Sequence, residues 1–288
     1  MKTNKIKFSV VFAIVCILII ACTGKESSAP ASSSLLKILI SNDDGVDAPG
    51  IAALFEKLTP LGRVTVAAPS RNYSGAGHGM TSNSPIMVEE TDKNGSKWYG
   101  IDATPATCVR LALESLLTEK PDIVISGINR GENIGLVTFY SGTVACAREA
   151  SIKGIPSIAV SFEDGPVMDY KEAAAFVADL VRGLKARGIR PGLFLNVNYP
   201  ARPKEKIKGV MITRQDLQSP LQSYEKRISP RGKLYFWPLY RELFQAPEKT
   251  DVWALANGYI SITPLQIDQT NSRELESLKS LKIKGLKN

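Results

Sequence analysis

An α/β fold built on a Rossmann-like, doubly wound and mostly parallel sheet is the expectation, and three observations carry it. Short apolar runs alternate with helix-patterned stretches, as βαβ units require. The runs at 38–40, 64–68 and 123–125 have no polar residue in every second place, or only one, which marks strands covered on both faces. Each such run empties into a loop of small and polar residues, the edge where open α/β sheets bind ligands.

The first 21 residues stand outside that core. Lys2, Lys5 and Lys7 precede an apolar run, 10–21, that stops at Cys22. This is the layout of a secretory signal, and it is shorter than a membrane span requires. Its ending, Leu18-Ile19-Ile20-Ala21-Cys22, resembles a bacterial lipobox. The resemblance implies cleavage before Cys22, lipidation of that residue and an exported, membrane-anchored lipoprotein on the periplasmic side, with Thr23 favouring the outer membrane. Residues 22–35, rich in Ser and Ala, form a flexible tether.

Residues 37–41 make the first strand, and Asn42-Asp43-Asp44-Gly45 then delivers two adjacent carboxylates to the sheet edge. Side chains on a straight strand alternate between faces, so the pair converges on one ion only where the backbone has begun to turn, which Gly45 permits. Two readings stand side by side: a hard divalent cation held by oxygen ligands, or an Asx-type turn. Ala48-Pro49-Gly50-Ile51 opens a helix through about Leu58, and 63–69 is a second strand halted by Pro69. The small-residue loop 70–81 carries Ser74 and His78; its glycines suit a close approach to an anion, but it fits neither a dinucleotide fingerprint nor a Walker loop.

Residues 85–89 and 97–101 read as a hairpin around the turn 91–96, and Thr104-Pro105-Ala106-Thr107 caps a helix to about Leu117. The strand 121–126 empties into a loop holding Asn129 and Asn133. Tyr140-Ser141-Gly142-Thr143 leads into a helix, 144–152, whose N-terminal amides suit a phosphate; taken by themselves, Ser141 and Thr143 read first as simple N-caps. The strand 155–161, the helix 170–187 and the strand 193–200 complete a core ending near residue 200. Beyond it, 209–213 and 234–237 are β-like, 219–231 is polar, and 251–263 reads as a strand pair or extended arm. Together these predict a β-rich extension, followed by a helix over 272–281 and a basic tail.

The net charge of +8 includes Lys2, Lys5 and Lys7 of the leader and Lys279, Lys282, Lys284 and Lys287 of the tail. No basic and aromatic residues interleave, so no nucleic-acid polymer is expected as a partner. Of the four cysteines, Cys16 lies in the leader and Cys22 is the lipid acceptor, leaving Cys108 and Cys146 either paired or as two buried thiols. No CxxC or HExxH spacing supports zinc.

Several separated motifs carry a family resemblance. They are Asn42-Asp43-Asp44-Gly45 with Ala48-Pro49-Gly50-Ile51, Ala68-Pro69 with Ser74-Gly75, Ser126-Gly127-Ile128-Asn129 with Gly131 and Asn133, Tyr140-Ser141-Gly142-Thr143, and Gly258-Tyr259-Ile260-Ser261-Ile262-Thr263-Pro264-Leu265. In this order, over about 36–270, the chain resembles the SurE (survival protein) nucleotidases. That resemblance implies a phosphomonoesterase acting on nucleoside 5′- and 3′-monophosphates, with one divalent cation per subunit, Mg²⁺ or Mn²⁺. It implies Asp43, Asp44, Ser74 and Asn129 as metal ligands, with Asp43 or Asp44 catalytic. Asn133, Ser141, Gly142 and Thr143 would hold phosphate, and the C-terminal extension would build a homodimer or homotetramer. His78, the sole histidine, is a candidate general acid or a local hydrogen-bonding group.

The chain departs from the family pattern in two places. Thr107 stands where the family's Thr-Pro-Ala-Asp-Cys has Asp, and the leader is unusual because most relatives are cytoplasmic, which keeps the cytoplasm as the alternative location. Two other activities fit the same site, a broader phosphomonoesterase or short-chain exopolyphosphatase and a lipid-anchored binding protein without catalysis.

Overall fold

The computed structural model describes residues 35–240 and 245–282. The expected leader, Cys22 as its expected lipid acceptor and the end of the basic tail lie outside those residues. Among the described residues, no helix is long and apolar enough to cross a membrane.

Four parallel strands form the centre: β1 (Leu36–Ser41), β2 (Gly62–Pro69), β5 (Ile123–Arg130) and β6 (Ser157–Phe162). With β3 (Val88–Lys93), β4 (Ser96–Ile101), β7 (Phe194–Tyr199), β8 (Val210–Ile212) and β11 (Ile260–Pro264) they make a nine-stranded sheet in the order β3-β4-β2-β1-β5-β6-β7-β11-β8. Only β3 on β4 and β11 on β7 run antiparallel. From β1 the chain first moves outward through β2 and β4, then returns to β5 on the other side. The crevice of such a sheet opens where the order reverses, between β1 and β5.

Helices cover both faces. On one, α1 (Pro49–Leu58) and α4 (Tyr170–Arg187) bury Ile51, Leu54, Leu58, Val177 and Val181 against Ile38, Ile40 and Ile125. On the other, α2 (Pro105–Leu111) and α3 (Gly142–Ile152) pack Cys108, Val109, Cys146 and Ala150 against Leu39 and Val124. The alternation of Ile38, Leu39 and Ile40 between the two clusters is the pleat of a two-sided strand, and each such side chain stabilises by about 1.5–3 kcal/mol. Local signals set the ends of α4: Asp169 accepts from the amides of Lys171 and Glu172, and Gly188 at φ 79° lets the chain leave.

Four expectations are corrected. The hairpin turn is the two-residue Asn94-Gly95, both at positive φ, so β3 begins at Val88 rather than at residue 85. Strand β5 does not stop at Ser126 but continues to Arg130 after a register shift on β6, which places Asn129 inside the strand. The polar stretch 219–231 contains β9 (Leu221–Ile228), which pairs with β10 (Leu234–Tyr240) in a separate two-stranded sheet. The supposed strand pair at 251–263 is α5 (Asp251–Ala256) followed by β11. The core sheet therefore runs past residue 200 into the C-terminal third, which ends in α6 (Ser272–Leu278), capped by Asn271. Cys108 and Cys146 are two buried free thiols.

Candidate active site

The turn after β1 is held by Asn42, whose side chain accepts from the Gly45 amide at 3.2 Å and donates to the Gly45 carbonyl at 2.9 Å. Gly45 sits at φ 112°, a conformation open to glycine. An Asx turn and a carboxylate site thus coexist, because Asn42 makes the turn and leaves both aspartates free for other work. The turn aims them differently. Asp43 is buried and its Oδ1 accepts from the Thr143 hydroxyl of α3, whereas Asp44 is half-buried and its Oδ2 accepts from the Arg130 amide at 3.3 Å.

Helix α3 points its N-terminus at Asp43. Ser141 caps it, accepting from the Val144 amide at 3.1 Å. A Cβ on Gly142 would lie 2.6 Å from the Asp43 Cβ and 2.8 Å from its Oδ2, so glycine is what lets the helix end approach the acid this closely. Burial pushes Asp43 up to about 6; the Thr143 hydroxyl pulls it down and the charge of Asp44 pushes it up again. Burial also raises Asp44, opposed by the amide and the guanidinium of Arg130. That guanidinium is paired with Asp164 at 3.2 Å, and among the described residues neither Asp43 nor Asp44 has a Lys or Arg side chain at ion-pair distance.

The loop 70–81 lies along this turn. Its Tyr73 amide donates to the Asp43 carbonyl at 2.8 Å, and its Gly77 amide donates to the Tyr140 carbonyl at 2.9 Å, just before the start of α3. Ser74 follows Tyr73, exposed, with its own amide donating to Asn72 Oδ1 at 2.7 Å. His78 turns its Nε2 to Glu149 of α3 at 2.8 Å. Asn129 stands on β5, the strand beside β1, and its Nδ2 donates to the Gly131 carbonyl at 2.6 Å, which leaves Oδ1 without a partner among the described residues.

The topology therefore gathers Asp43, Asp44, Ser141, Gly142 and Thr143 at the switch point, with Asn129 on the adjoining strand and Ser74 on the neighbouring loop. Asn133 lies on the loop after β5, tied to β6 and β7. Its Nδ2 donates to Ser161 Oγ at 2.7 Å, its amide to Asn198 Oδ1 at 2.8 Å, and its carbonyl accepts from Asn196 Nδ2 at 2.7 Å. The side-chain nitrogen is engaged within the fold and braces the loop after β5. Asn42, Asn196, Asn198, Glu149 and Arg110 are participants that the sequence reading did not single out. Glu149 had a signal, being an acid in an otherwise small and apolar run, 144–151, broken besides only by Arg148.

A cation fits this arrangement on its own chemistry. Two carboxylates with no Lys or Arg side chain at ion-pair distance among the described residues, both raised by burial, share this sheet edge with Asn129 on the adjoining strand and Ser74 on the neighbouring loop, and an all-oxygen donor set of this kind suits Mg²⁺ or Mn²⁺. A groove of about 530 Å³ opens beside Asp44, lined among others by Arg71, Arg130, Met168 and Tyr170.

Comparison with known proteins gives consistent matches. The family described as Survival protein SurE matches residues 38–220. The 5'-nucleotidase SurE of Geobacter sulfurreducens is 44% identical over 251 residues, covering 85% of this chain and 93% of the relative. That of Aquifex aeolicus is 44% identical over 245 residues, covering 84% and 97%. The crystal structure of the SurE protein from Aquifex aeolicus superposes with a TM-score of 0.74 at 43% identity, covering 84% of this chain and 98% of that one.

Proposed function

This chain belongs to the SurE survival-protein family, and from that premise we propose that it is a divalent-metal-dependent phosphomonoesterase hydrolysing nucleoside 5′- and 3′-monophosphates. The observation that carries the reading is the meeting of Asp43 with the N-terminus of α3. A carboxylate for a cation and a helix end for a phosphate lie within one side chain of each other.

Asp43, Asp44, Ser74 and Asn129 would hold the cation, which supplies positive charge to polarise a phosphoryl oxygen and to acidify water. Ser141, Gly142 and Thr143 orient the phosphate at the first helical turn, where the Gly142 amide is open to it and the helix dipole favours its charge. Asp43 or Asp44 accepts the proton of the attacking water. Thr143 serves both sides of the site, since its hydroxyl fixes Asp43 while its backbone belongs to the phosphate-facing turn. A second copy of this chain is the proposed protein partner, in a homodimer or homotetramer joined through the β9–β10 hairpin. The exposed Tyr224, Phe236, Trp237 and Tyr240 of that hairpin support it.

Phosphate release from adenosine 5′- and 3′-monophosphate, assayed with Mg²⁺ or Mn²⁺ and then with excess chelator, tests the activity. Release is expected to stop with chelator and to fall by at least about a hundredfold in Asp43→Asn, the scale for losing a group that stabilises developing charge. Activity that survives both treatments would overturn the metal mechanism.

A further inference from the structure

One buried charge has no part in that chemistry. Glu149, two turns into α3, is 1% exposed; its Oε2 lies 2.8 Å from Nε2 of His78, and its Oε1 lies 2.7 Å from both Nε and Nη2 of Arg110. Three elements meet there: α2 through Arg110, α3 through Glu149 and the loop 70–81 through His78. Burial pushes the Glu149 carboxyl up, and its bonds to His78 and Arg110 outweigh this and leave it below the ordinary range. An ionised carboxylate at that depth is tolerated only with its partners in place, so it specifies where His78 must stand.

The anchor matters because of what the loop is made of. Gly75, Gly77 and Gly79 give it a large conformational entropy to lose, and small side chains offer little burial in return. Its other ties include the Tyr73 and Gly77 amides, the Ser70 amide on the Ile101 carbonyl and, at its far end, Thr81, whose amide donates to the Thr107 hydroxyl at 2.8 Å and whose hydroxyl accepts from the Thr104 amide at 3.0 Å. Arg71 and the Tyr73 hydroxyl reach Asp102, which is exposed, whereas among the described residues His78 is the loop side chain tied to a buried charge.

We propose that Glu149 is a positioning residue: through His78 it holds the loop 70–81 against the Asp43–Asp44 turn and so presets Ser74 for the cation. The assignment to Ser74 rests on the metal-dependent reading above; the anchoring of the loop does not. The test compares the full chain with Glu149→Gln, His78→Gln and the double variant in two measurements. Amide hydrogen exchange at Tyr73 and Gly77 is expected to quicken about tenfold in each single variant, the scale for one charge-assisted hydrogen bond. The Mg²⁺ concentration giving half-maximal phosphate release is expected to rise about tenfold in Glu149→Gln with kcat at saturating Mg²⁺ little changed, as for loss of an outer partner of a metal site. The double variant should be no worse than either single one, because both cut the same tether.

His78→Gln leaves Glu149 paired with Arg110 and so separates anchoring from folding. Wild-type exchange at Tyr73 and Gly77 in that variant, or exchange that quickens uniformly across the central strands, would overturn the proposal. A wild-type chain that releases no phosphate with any metal would sink the nucleotidase reading instead, and the exchange data would still decide the role of Glu149.

Discussion

Burial lifts Asp43 to about 6 while Asp44 adds its charge beside it, and the two effects give the folded protein a pH dependence of definite sign. An acid whose folded value exceeds its unfolded one binds its proton more tightly in the folded state. Its contribution is therefore complete below the ordinary value of 3.8 and is lost as the pH rises through about 6. By pH 7 the loss is about 3 kcal/mol. Urea unfolding of the metal-free protein at pH 4.5 and pH 7 should show that loss in the wild type and lack most of it in Asp43→Asn, where nothing ionises. Mg²⁺ or Mn²⁺ should restore stability at pH 7 and do little at pH 4.5, because cation and proton compete for the same carboxylates. A cation that raised the melting temperature equally at both pH values would contradict this account. Glu149 runs the other way: held below its usual value, it favours folding above that value and ceases to as the solution is acidified.

Helix α3 shows how far an element can be read from its residues. Tyr140-Ser141-Gly142-Thr143 announced both a cap and a phosphate-binding turn, and the capping role of Ser141 is present in the geometry. What the motif did not disclose is that Gly142 faces a carboxylate rather than open solvent. Gly142→Ala would place its Cβ against Asp43 and Pro105, and rigid neighbours on both sides leave it nowhere to go. It should cost about 1–3 kcal/mol in thermal or urea unfolding and abolish phosphate release, with the Asp43 carboxylate displaced from Thr143. An alanine variant with wild-type stability and turnover would mean that the close approach is not required.

Strand β9 and helix α5 were misread for different reasons. Strand β9 is exposed on both faces, so burial never imposed the period-two pattern that identifies strands. Helix α5 is held by Thr250, which caps it, and by Asp251, which accepts from the distant amides of Gly135 at 3.0 Å and Asp216 at 2.8 Å. By contrast β1, α1, β2, α4 and β7 declared themselves, because each buries a regular face in the core. The site was legible to the same degree. Asp43, Asp44 and the α3 turn stand in plain motifs, while Glu149 and Arg110 gain meaning only when α2 and α3 are packed together.

At the scale of the whole molecule, the β9–β10 hairpin is out of keeping with the rest. Two strands seldom stand alone in water, and this pair leaves Trp237 55% and Tyr240 68% exposed. A surface of that kind marks an interaction site, and the proposed second copy would cover it. Size-exclusion chromatography with light scattering should find an oligomer for the wild type and a shift toward monomer for a Phe236→Ser, Trp237→Glu double substitution. A monomeric wild type would show that the hairpin serves some other contact.

Strand order carries one more consequence, and it concerns the making of the protein. Strand β11 lies inside the sheet, between β7 and β8, although it is the last strand to be synthesised. Until the chain has been extended through Pro264, β7 presents an open edge and β8 has nothing to pair with. The nascent protein thus carries an unfinished sheet until β11 is made, and the contacts that close it bridge residues far apart in the chain, the kind of pairing that forms slowly. Throughout that interval the exposed flank of β7 invites pairing with other chains, so attendance by a chaperone would matter most between the synthesis of β7 and that of β11.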